Sequence, residues 1–592
     1  MNIRTFKRHR GRKVAGIAVI ALAASACISN PSNAQSTSVP AARYGGNVTV
    51  GIFDTLPGFC VGNNPANSAL MATRTIYETL FEKTKGGDMA GVLARSATSS
   101  ADRKIWTVTL REGVTFHDGS AFDASAVVAN FNAITGRTAL GAYAASGLAG
   151  LAAKSYTIGT GTAFTANIKS FSVKSEFVVE FVLDRPQYDF RSTLYASGRF
   201  FMRSPAQLAD ANTCSQTPIG TGPFKISSWT GDQLVVVRNA DYWRHDPKTN
   251  ARLPYLDKIT FQNVKESSQR ASAVRRATLD AAFFSAATDS TFIKDLRTRR
   301  TAVREFRSPA EYYPSLWLNQ GKPRSPFEHM SARKAVLSCL DRTNFVKVRT
   351  RGETKAAKSI VGSNSLMYST KNFPKFSISK ARQFVKDYIV ETGEASLSFA
   401  FPADTSTASQ ANARFLKATW AKCNINATIV VEETANIISK AFNPSANLSS
   451  GQYYNAYDAI FITLLEGEDA AFNIPFLVTN AYSAASTNPV RALFKTSLGP
   501  VLGLNHHNDV AIDQYFYDGQ AAKNASAAKS RYRAGTAYLQ KNAIMGAINS
   551  FYYSLFTTKK LAGIGTLGLP NGKTQRTITN WGIDWTGVYK TR

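Results

Sequence analysis

The sequence predicts an α/β protein of two or three domains, and three observations lead there. At 592 residues, the chain exceeds the roughly 250–300 residues at which a single core stops growing. Strands alternate with helices, most clearly where Ser396–Phe401 reads as a strand, Ala411–Lys422 as a helix and Ile425–Val431 as the next strand, the unit of an α/β domain. Hydrophobic content of 44% with 19% charged residues belongs to a globular chain rather than a disordered one. No period of 20–50 residues recurs, which argues against a solenoid.

Taken in order, the chain opens on a secretory signal. Arg4, Lys7, Arg8, Arg10, Arg12 and Lys13 form a basic stretch, Val14–Ala24 is apolar but shorter than the ~20 residues a membrane crossing needs, and small residues follow up to Cys27. That pattern is a leader, excluded from the fold. Ala24-Ser25-Ala26-Cys27 resembles a lipobox, with Ala24 where Leu is usual, so Cys27 is the expected lipidation site; cleavage after Ser32-Asn33-Ala34 is the alternative. A Ser/Thr/Ala-rich tether precedes the first strand, Gly46–Phe53. Asn67–Phe81 carries helical spacing around Leu70, Ile76, Tyr77 and Leu80. Ile105–Leu110 alternates as a strand, and Asp123 caps a helix to Phe131. Residues 136–165 read as an inserted loop, and Phe177–Leu183 and Leu234–Arg238 as strands. Ser331–Phe345, Ile378–Val390 and Asp513–Lys541 read as helices.

The net charge of +30 becomes +24 without the six basic residues of the leader. The charges are scattered, with no basic stripe, so nucleic acid is not an expected partner; anionic lipid or cell-wall polymer is the more natural one for an exported chain.

Several ordered blocks carry a resemblance. They are Tyr77-Glu-Thr-Leu-Phe81, Trp106–Gly119 ending in Gly113-Val-Thr-Phe-His-Asp-Gly119, Phe122–Phe131, Pro218-Ile-Gly-Thr-Gly-Pro-Phe224, Arg238-Asn-Ala-Asp-Tyr-Trp243, Leu256-Asp-Lys-Ile259 and Ala332–Arg342. Together they resemble the bacterial extracellular solute-binding proteins of family 5, which serve oligopeptide, dipeptide and nickel ABC importers. The resemblance covers residues 46–345 well and weakens beyond.

The resemblance implies an α/β, two-lobed periplasmic-binding-protein-like fold with three domains, of the class II, large oligopeptide-binding type. The layout is a signal peptide 1–26, a tether 27–45, domain I in parts 46–82, 217–316 and 554–592, domain II over 83–216 and domain III over 317–553, with lobe crossings near 310–320 and 550–560. On that layout Cys60–Cys214 and Cys339–Cys423 are the favoured pairings of three possible, free thiols being the alternative. Phe116-His-Asp-Gly119 and Gly220-Thr-Gly-Pro223 read as turn and backbone devices, with His117 a hydrogen-bonder of the turn.

Peptide recognition needs acids or carbonyls for an ammonium, donors for a carboxylate and aromatic walls. The expected lining is Phe59 and Asn63 after the first strand, Tyr312, Tyr313, Trp317 and Asn319 at the first crossing, Phe401 after a domain III strand, and Leu464, Glu466 and Asp469 in the block Tyr457–Asp469. Leu464 stands where the family commonly has Trp. In peptide binders of the family an aspartate of this block holds the ligand's ammonium, a role implied loosely for Glu466 or Asp469. Substitution of Trp317 or Glu466 is expected to weaken affinity without unfolding.

The functional expectation is the substrate-binding component of an ABC importer, capturing a peptide-like solute and delivering it to the permease. It is a monomer without cofactor, held by a lipid anchor on the outer face of the cytoplasmic membrane, or free in the periplasm. The alternatives are a nickel- or metal-chelate-binding, or a sensory, lipoprotein of the same fold. An enzyme is not expected: Gly563-Ile-Gly-Thr-Leu-Gly568 runs into Leu569-Pro570 where a helix should start, and Gly572-Lys573-Thr574 lacks the first P-loop glycine. His506-His507 reads as a surface loop rather than a metal site.

Overall fold

The computed structural model describes residues 43–56, 58–61, 67–135, 163–209, 214–298, 302–308, 312–442, 456–479, 502–579 and 581–591. Cys27, Asn63, the leader and most of the insertion over 136–165 lie outside them. Among the described residues no helix is long and apolar enough to cross a membrane.

The first lobe is organised by a seven-stranded mixed sheet. Its order is Val303–Arg307, Tyr553–Thr558, Ala281–Ser285, Asn47–Ile52, Lys258–Asn263, Gln233–Arg238, Phe224–Trp229. Asn47–Ile52 lies parallel to both of its neighbours and all other pairs are antiparallel. Burial of Val48, Val50, Ile259, Phe261, Leu234 and Val236 on one alternating set builds the core beneath it. A second, antiparallel sheet of Ala94–Ser99, Ile105–Leu110, Val178–Leu183 and Ile168–Ser175 packs under the helix Ala124–Ile134. Asp123 caps that helix through Ala126 N at 2.8 Å, and Phe131 meets Phe181 edge-on at 4.9 Å.

The motif blocks converge as scaffold. The buried Glu78 carboxylate accepts from Thr221 Oγ1 (3.0 Å), Tyr242 Oη (2.7 Å) and Trp243 Nε1 (2.8 Å), bolting together three segments distant in sequence. His117 donates from Nε2 to the Gly222 carbonyl at 2.9 Å, Asp118 accepts from Ser120 N, and Gly119 takes a positive φ of 85°. At Gly220 a Cβ would lie 2.1 Å from the Ile76 carbonyl oxygen, so the small residue is there to let two backbones touch.

The second lobe holds Ser315–Leu318 between Ala459–Ile462 and Met545–Ala547, all antiparallel. Beside it the parallel pair Leu397–Asp404 and Ile425–Glu432 is connected by the helix Thr407–Ala421. Trp420 is fully buried, edge-on to Phe399 and Phe401 at 5.1 and 5.3 Å. Both disulfides form as the layout favoured, Cys60–Cys214 and Cys339–Cys423.

Three expected helices are shorter or divided. The first ends at Thr73, where the hydroxyls of Thr73 and Thr75 bond back to the Ala69 and Ala72 carbonyls. Ser331–Phe345 divides into Met330–Ser338 and Arg342–Arg349, because Asp341 starts a new helix by capping Asn344 N. Asp513–Lys541 is a hairpin of Val510–Gln520 and Ala525–Lys541 with Asn524 as the second cap. In the latter two a side-chain cap competes with the continuing helical ladder.

The chain passes between lobes twice, before Ser315 and after Ala547, and the two passages pair with each other. Tyr312 N donates to the Phe551 carbonyl (3.0 Å) and Phe551 N to the Tyr312 carbonyl (2.8 Å). The rings of Tyr312, Phe551 and Tyr553 cluster with centroids 5.0–5.6 Å apart. The second passage is complete by Tyr553, which belongs to the first-lobe sheet.

Gly220→Ala is expected to lower stability by about 1–3 kcal/mol through overpacking against backbone that cannot yield, measurable as a shift in the denaturant midpoint at unchanged slope.

Candidate interlobe site

Side chains of the two lobes meet along a seam. From the second lobe the strand Ala459–Ile462 runs into a loop that turns at Gly467 (φ 55°) and enters the short helix Ala470–Asn473. Asp469 caps that helix by accepting from Phe472 N, and Asn473 Oδ1 accepts from Glu466 N at 2.9 Å. The loop's three acids are thereby aimed at the first lobe.

The first lobe answers each acid with a base. After the left-handed turn at Ala196, Ser197 and Gly198, Arg199 grips Glu466 in two-pronged fashion, Nη1 to Oε2 at 3.0 Å and Nη2 to Oε1 at 2.5 Å. Ser197 Oγ adds a third bond at 2.7 Å. Arg199 and Glu466 are each only 12% exposed. Arg576 pairs with Glu468, and Lys83 Nζ lies 3.6 Å from Asp469 and 3.8 Å from Glu468. Charged hydrogen bonds of this kind contribute about 1.5–3 kcal/mol, largely offset by the cost of removing both ions from water. Their stronger effect is to fix which groups face each other.

Next to the ion pairs lies an apolar clasp. Phe164 of the first lobe stacks on Phe472 at 4.9 Å and meets Phe476 at 5.8 Å, while the Arg199 guanidinium sits 5.1 Å above Phe472. Arg185 covers the Tyr517 ring at 3.8 Å, Tyr188 N donates to the Gln520 carbonyl, and Arg103 donates to that of Ala521. A cavity of ≈ 30 Å³ remains between Phe164, Asn167 and Gln187 on one side and Ile474, Val478 and Tyr517 on the other. Asp189, from the first lobe, receives the Tyr532 hydroxyl at 3.4 Å. Burial, with Asp469 as a negative neighbour, pushes its carboxyl up to about 7.

The expected lining separates into two groups. Glu466 and Asp469 stand in the seam, with Leu464 half-buried beside them in the second-lobe core. The other described ones make packing or backbone contacts. Phe59 is buried against Tyr77 and Trp229, and its carbonyl accepts from Arg203 Nε. Tyr312 belongs to the crossing, and Tyr313 packs with Ala357 and Ala547. Trp317 is wholly buried and donates to the Ile462 carbonyl. Asn319 holds a turn through Tyr457 O, Gly321 N and Lys322 N. Phe401 lies inside a strand running on to Asp404, not after its end, and faces Trp420.

His506 and His507 are buried, not in a surface loop: His507 Nε2 donates to the Leu477 carbonyl at 2.8 Å, and burial pushes the imidazoles down to about 3 and 4. Among the described residues no group of three or more His, Cys, Asp or Glu is placed to hold a metal. Sequence reading missed Lys83, Phe164, Asp189, Arg199 and Arg576. None sits in a motif, and each gains its role from a partner more than a hundred residues away.

The sequence model of the bacterial extracellular solute-binding proteins, family 5 (middle region), matches residues 88–469, more than half of the chain. The protein belongs to that family. The glutathione-binding protein GsiB of Escherichia coli K12 is 29% identical over 317 residues, 53% of this chain and 56% of that one. The protein of the same name from Pectobacterium atrosepticum is 28% identical over 327 residues, 54% of this chain and 57% of its own. The chain thus matches about half the length of these relatives.

Whole-chain likeness lies in the fold. The periplasmic binding protein DppA from Helicobacter pylori, solved with the peptide STSA, superposes with a TM-score of 0.73 at 20% identity, covering 93% of this chain and 99% of that one. The oligopeptide-binding protein AppA from Bacillus subtilis, solved with a nonapeptide, gives 0.70 at 15% identity, over 93% and 100%. NikZ from Campylobacter jejuni with Ni(L-His) gives 0.65 at 15%, over 91% and 97%. The two-lobed class II architecture is therefore the fold of this family member.

Because Trp317 is a core residue, its truncation to Ala is expected to cost about 3–5 kcal/mol of stability, seen in chemical denaturation.

Proposed function

We propose that the protein is the substrate-binding component of an ABC importer, closing its lobes on a small peptide-like solute and presenting the closed form to the permease. The observation that carries this reading is the seam itself: three acids of one lobe face three bases of the other, across a joint made of two paired crossings. A zwitterionic peptide offers one ammonium and one carboxylate. Seated in the seam, it exchanges an interlobe ion pair for two solute ion pairs, with its ammonium toward Glu466 or Asp469 and its carboxylate toward Arg199 or Lys83. Closure then follows from the solute's contacts with both lobes, which favour the shut form over the open one. No bond is made or broken.

Family membership and the glutathione- and peptide-binding relatives support a peptide-like solute. The leader, with Cys27 as the lipidated residue, supports export and anchoring of a monomer on the outer face of the membrane, and the three-part division of domain I fits the same scheme.

Titration calorimetry with glutathione, Met-Leu and Ser-Thr-Ser-Ala tests the reading. At least one is expected to bind, and Glu466→Gln is expected to weaken that binding about 10- to 100-fold, the equivalent of one charged hydrogen bond, while the melting temperature stays within a few degrees. Absence of heat with all three peptides would count against a peptide-like solute.

A further inference from the structure

The two ends of the first-lobe sheet differ in what they face. Strand registers set Ile52, Asn263 and Tyr553 toward one end. There the crossings begin, and Lys265 Nζ lies 3.4 Å from Thr405 Oγ1 and 3.7 Å from Glu433 of the second lobe. Asn47, Lys258 and Thr558 stand toward the opposite end, about 20 Å away along the strands. The chain enters the fold at this far end, and its entry is fixed. The Arg43 guanidinium lies 5.0 Å from the Tyr589 ring, and the Tyr44 hydroxyl donates to the Arg252 carbonyl at 2.8 Å. Gly45 N donates to the Tyr255 carbonyl at 3.0 Å and Gly46 N to Asp257 at 2.9 Å. A tether joined at Arg43 thus leads from this end and not from the cleft.

The same end carries positive charge in excess. Its acids are already matched: Asp257 by Arg238 at 2.6 Å, Asp280 by Lys590 at 2.9 Å, Asp246 by Arg43 at 3.8 Å and Asp241 by Lys225 at 3.9 Å. Among the described residues no carboxylate pairs with Arg252, Lys258, Lys559 or Lys560. Arg252, Lys559 and Lys560 are exposed and Lys258 is half-buried. The lysine pair is held beside the chain entry. Thr558 N donates to the Asp280 carbonyl, Thr591 N to that of Lys560 at 2.7 Å, and Lys590 Nζ to that of Asn47 at 3.0 Å. Tyr553–Thr558 and Lys258–Asn263 are separated by two strands in the sheet order, so the four cations spread over about 15 Å. A spread of that width suits a charged surface better than one small anion.

Given the export to the membrane surface inferred above, we propose that this end of the first lobe is a foot that rests on anionic phospholipid. Arg252, Lys258, Lys559 and Lys560 face the headgroup phosphates, and the interlobe seam stays clear of the bilayer. Each such cation near an anionic surface adds to the attraction, which fades within a Debye length. The contact is therefore short-ranged, sensitive to salt and weak enough to release. A chain resting in this way keeps its cleft open to passing solute while tethered.

The test uses the chain from Gln35 onward, one of the two mature forms the leader allows, which carries no lipid. It needs no solute, so its outcome is independent of the importer reading. The protein is expected to sediment with vesicles of mixed phosphatidylcholine and phosphatidylglycerol in ~0.05 M salt, to leave them in ~0.5 M salt, and to ignore vesicles of phosphatidylcholine alone. Lys559→Ala combined with Lys560→Ala should weaken vesicle binding about 10- to 30-fold. Lys380→Ala combined with Lys386→Ala removes the same charge from exposed positions on the second-lobe helix Ile378–Thr392 and should leave binding within about twofold of the parent. Equal losses in the two double variants would mean that overall charge, not this surface, makes the contact, and would overturn the proposal. So would equal binding to both kinds of vesicle, or retention by an anionic cell-wall polymer with none by the vesicles. Thermal melting confirms that both double variants are folded, since all four lysines are exposed.

Discussion

The pairing of the two interlobe passages through Tyr312 and Phe551 is the constraint on which the rest of the molecule depends. A single strand between lobes would leave them free to swivel. Two strands hydrogen-bonded to one another, with three rings packed across them, move as one ribbon and restrict the lobes to bending about it. A strut stands nearby. Arg297 of the first lobe binds Glu305 of its own lobe and Glu353 of the second, and Tyr552 donates to Glu353 at 2.7 Å. Only with relative orientation limited in this way can Arg199 and Glu466, 267 residues apart, meet in two-pronged register.

That register matters more than the strength of the contacts it produces. Ion pairs in a partly dry seam gain little net energy, because each ion gives up its hydration first. Their number and polarity nevertheless reject a misaligned closure, since a shift would set carboxylate against carboxylate. The apolar contribution from Phe164 on Phe472 has no such directionality and serves cohesion instead. The seam therefore separates the two tasks between different side chains, cohesion to the aromatic clasp and alignment to the charges.

Much of the scaffold was legible in the sequence, for a physical reason. The blocks Tyr77-Glu78, Gly220-Thr-Gly-Pro223 and Tyr242-Trp243 stand out because Glu78 needs three donors at fixed places and Gly220 must have no side chain. Strands such as Ile105–Leu110 announced themselves by alternation, and the disulfides by parity and layout. The interlobe site was only half legible. The acids of 466–469 lie in one loop and could be read together, but Lys83, Asp189, Arg199 and Arg576 are scattered, and only the closing geometry unites them. Aromatic residues are harder to read for a related reason. Trp317 and Phe401 look the same in a string of letters whether they wall a cleft or fill a core, and His506-His507 looked exposed although both rings are buried. Helix ends were missed where Asp341 and Asn524 interrupt a continuous apolar period.

The route of the chain through the first-lobe sheet also governs how the protein can be made. The strand Tyr553–Thr558 is inserted between Ala281–Ser285 and Val303–Arg307, so the edge strand reaches the sheet only through a segment synthesised some 250 residues later. Until that segment arrives, the strands in the first half of the chain leave an unfilled slot in the main sheet. Pairings over such sequence distance form slowly. The same slot leaves a prematurely truncated product with open strand edges prone to self-association.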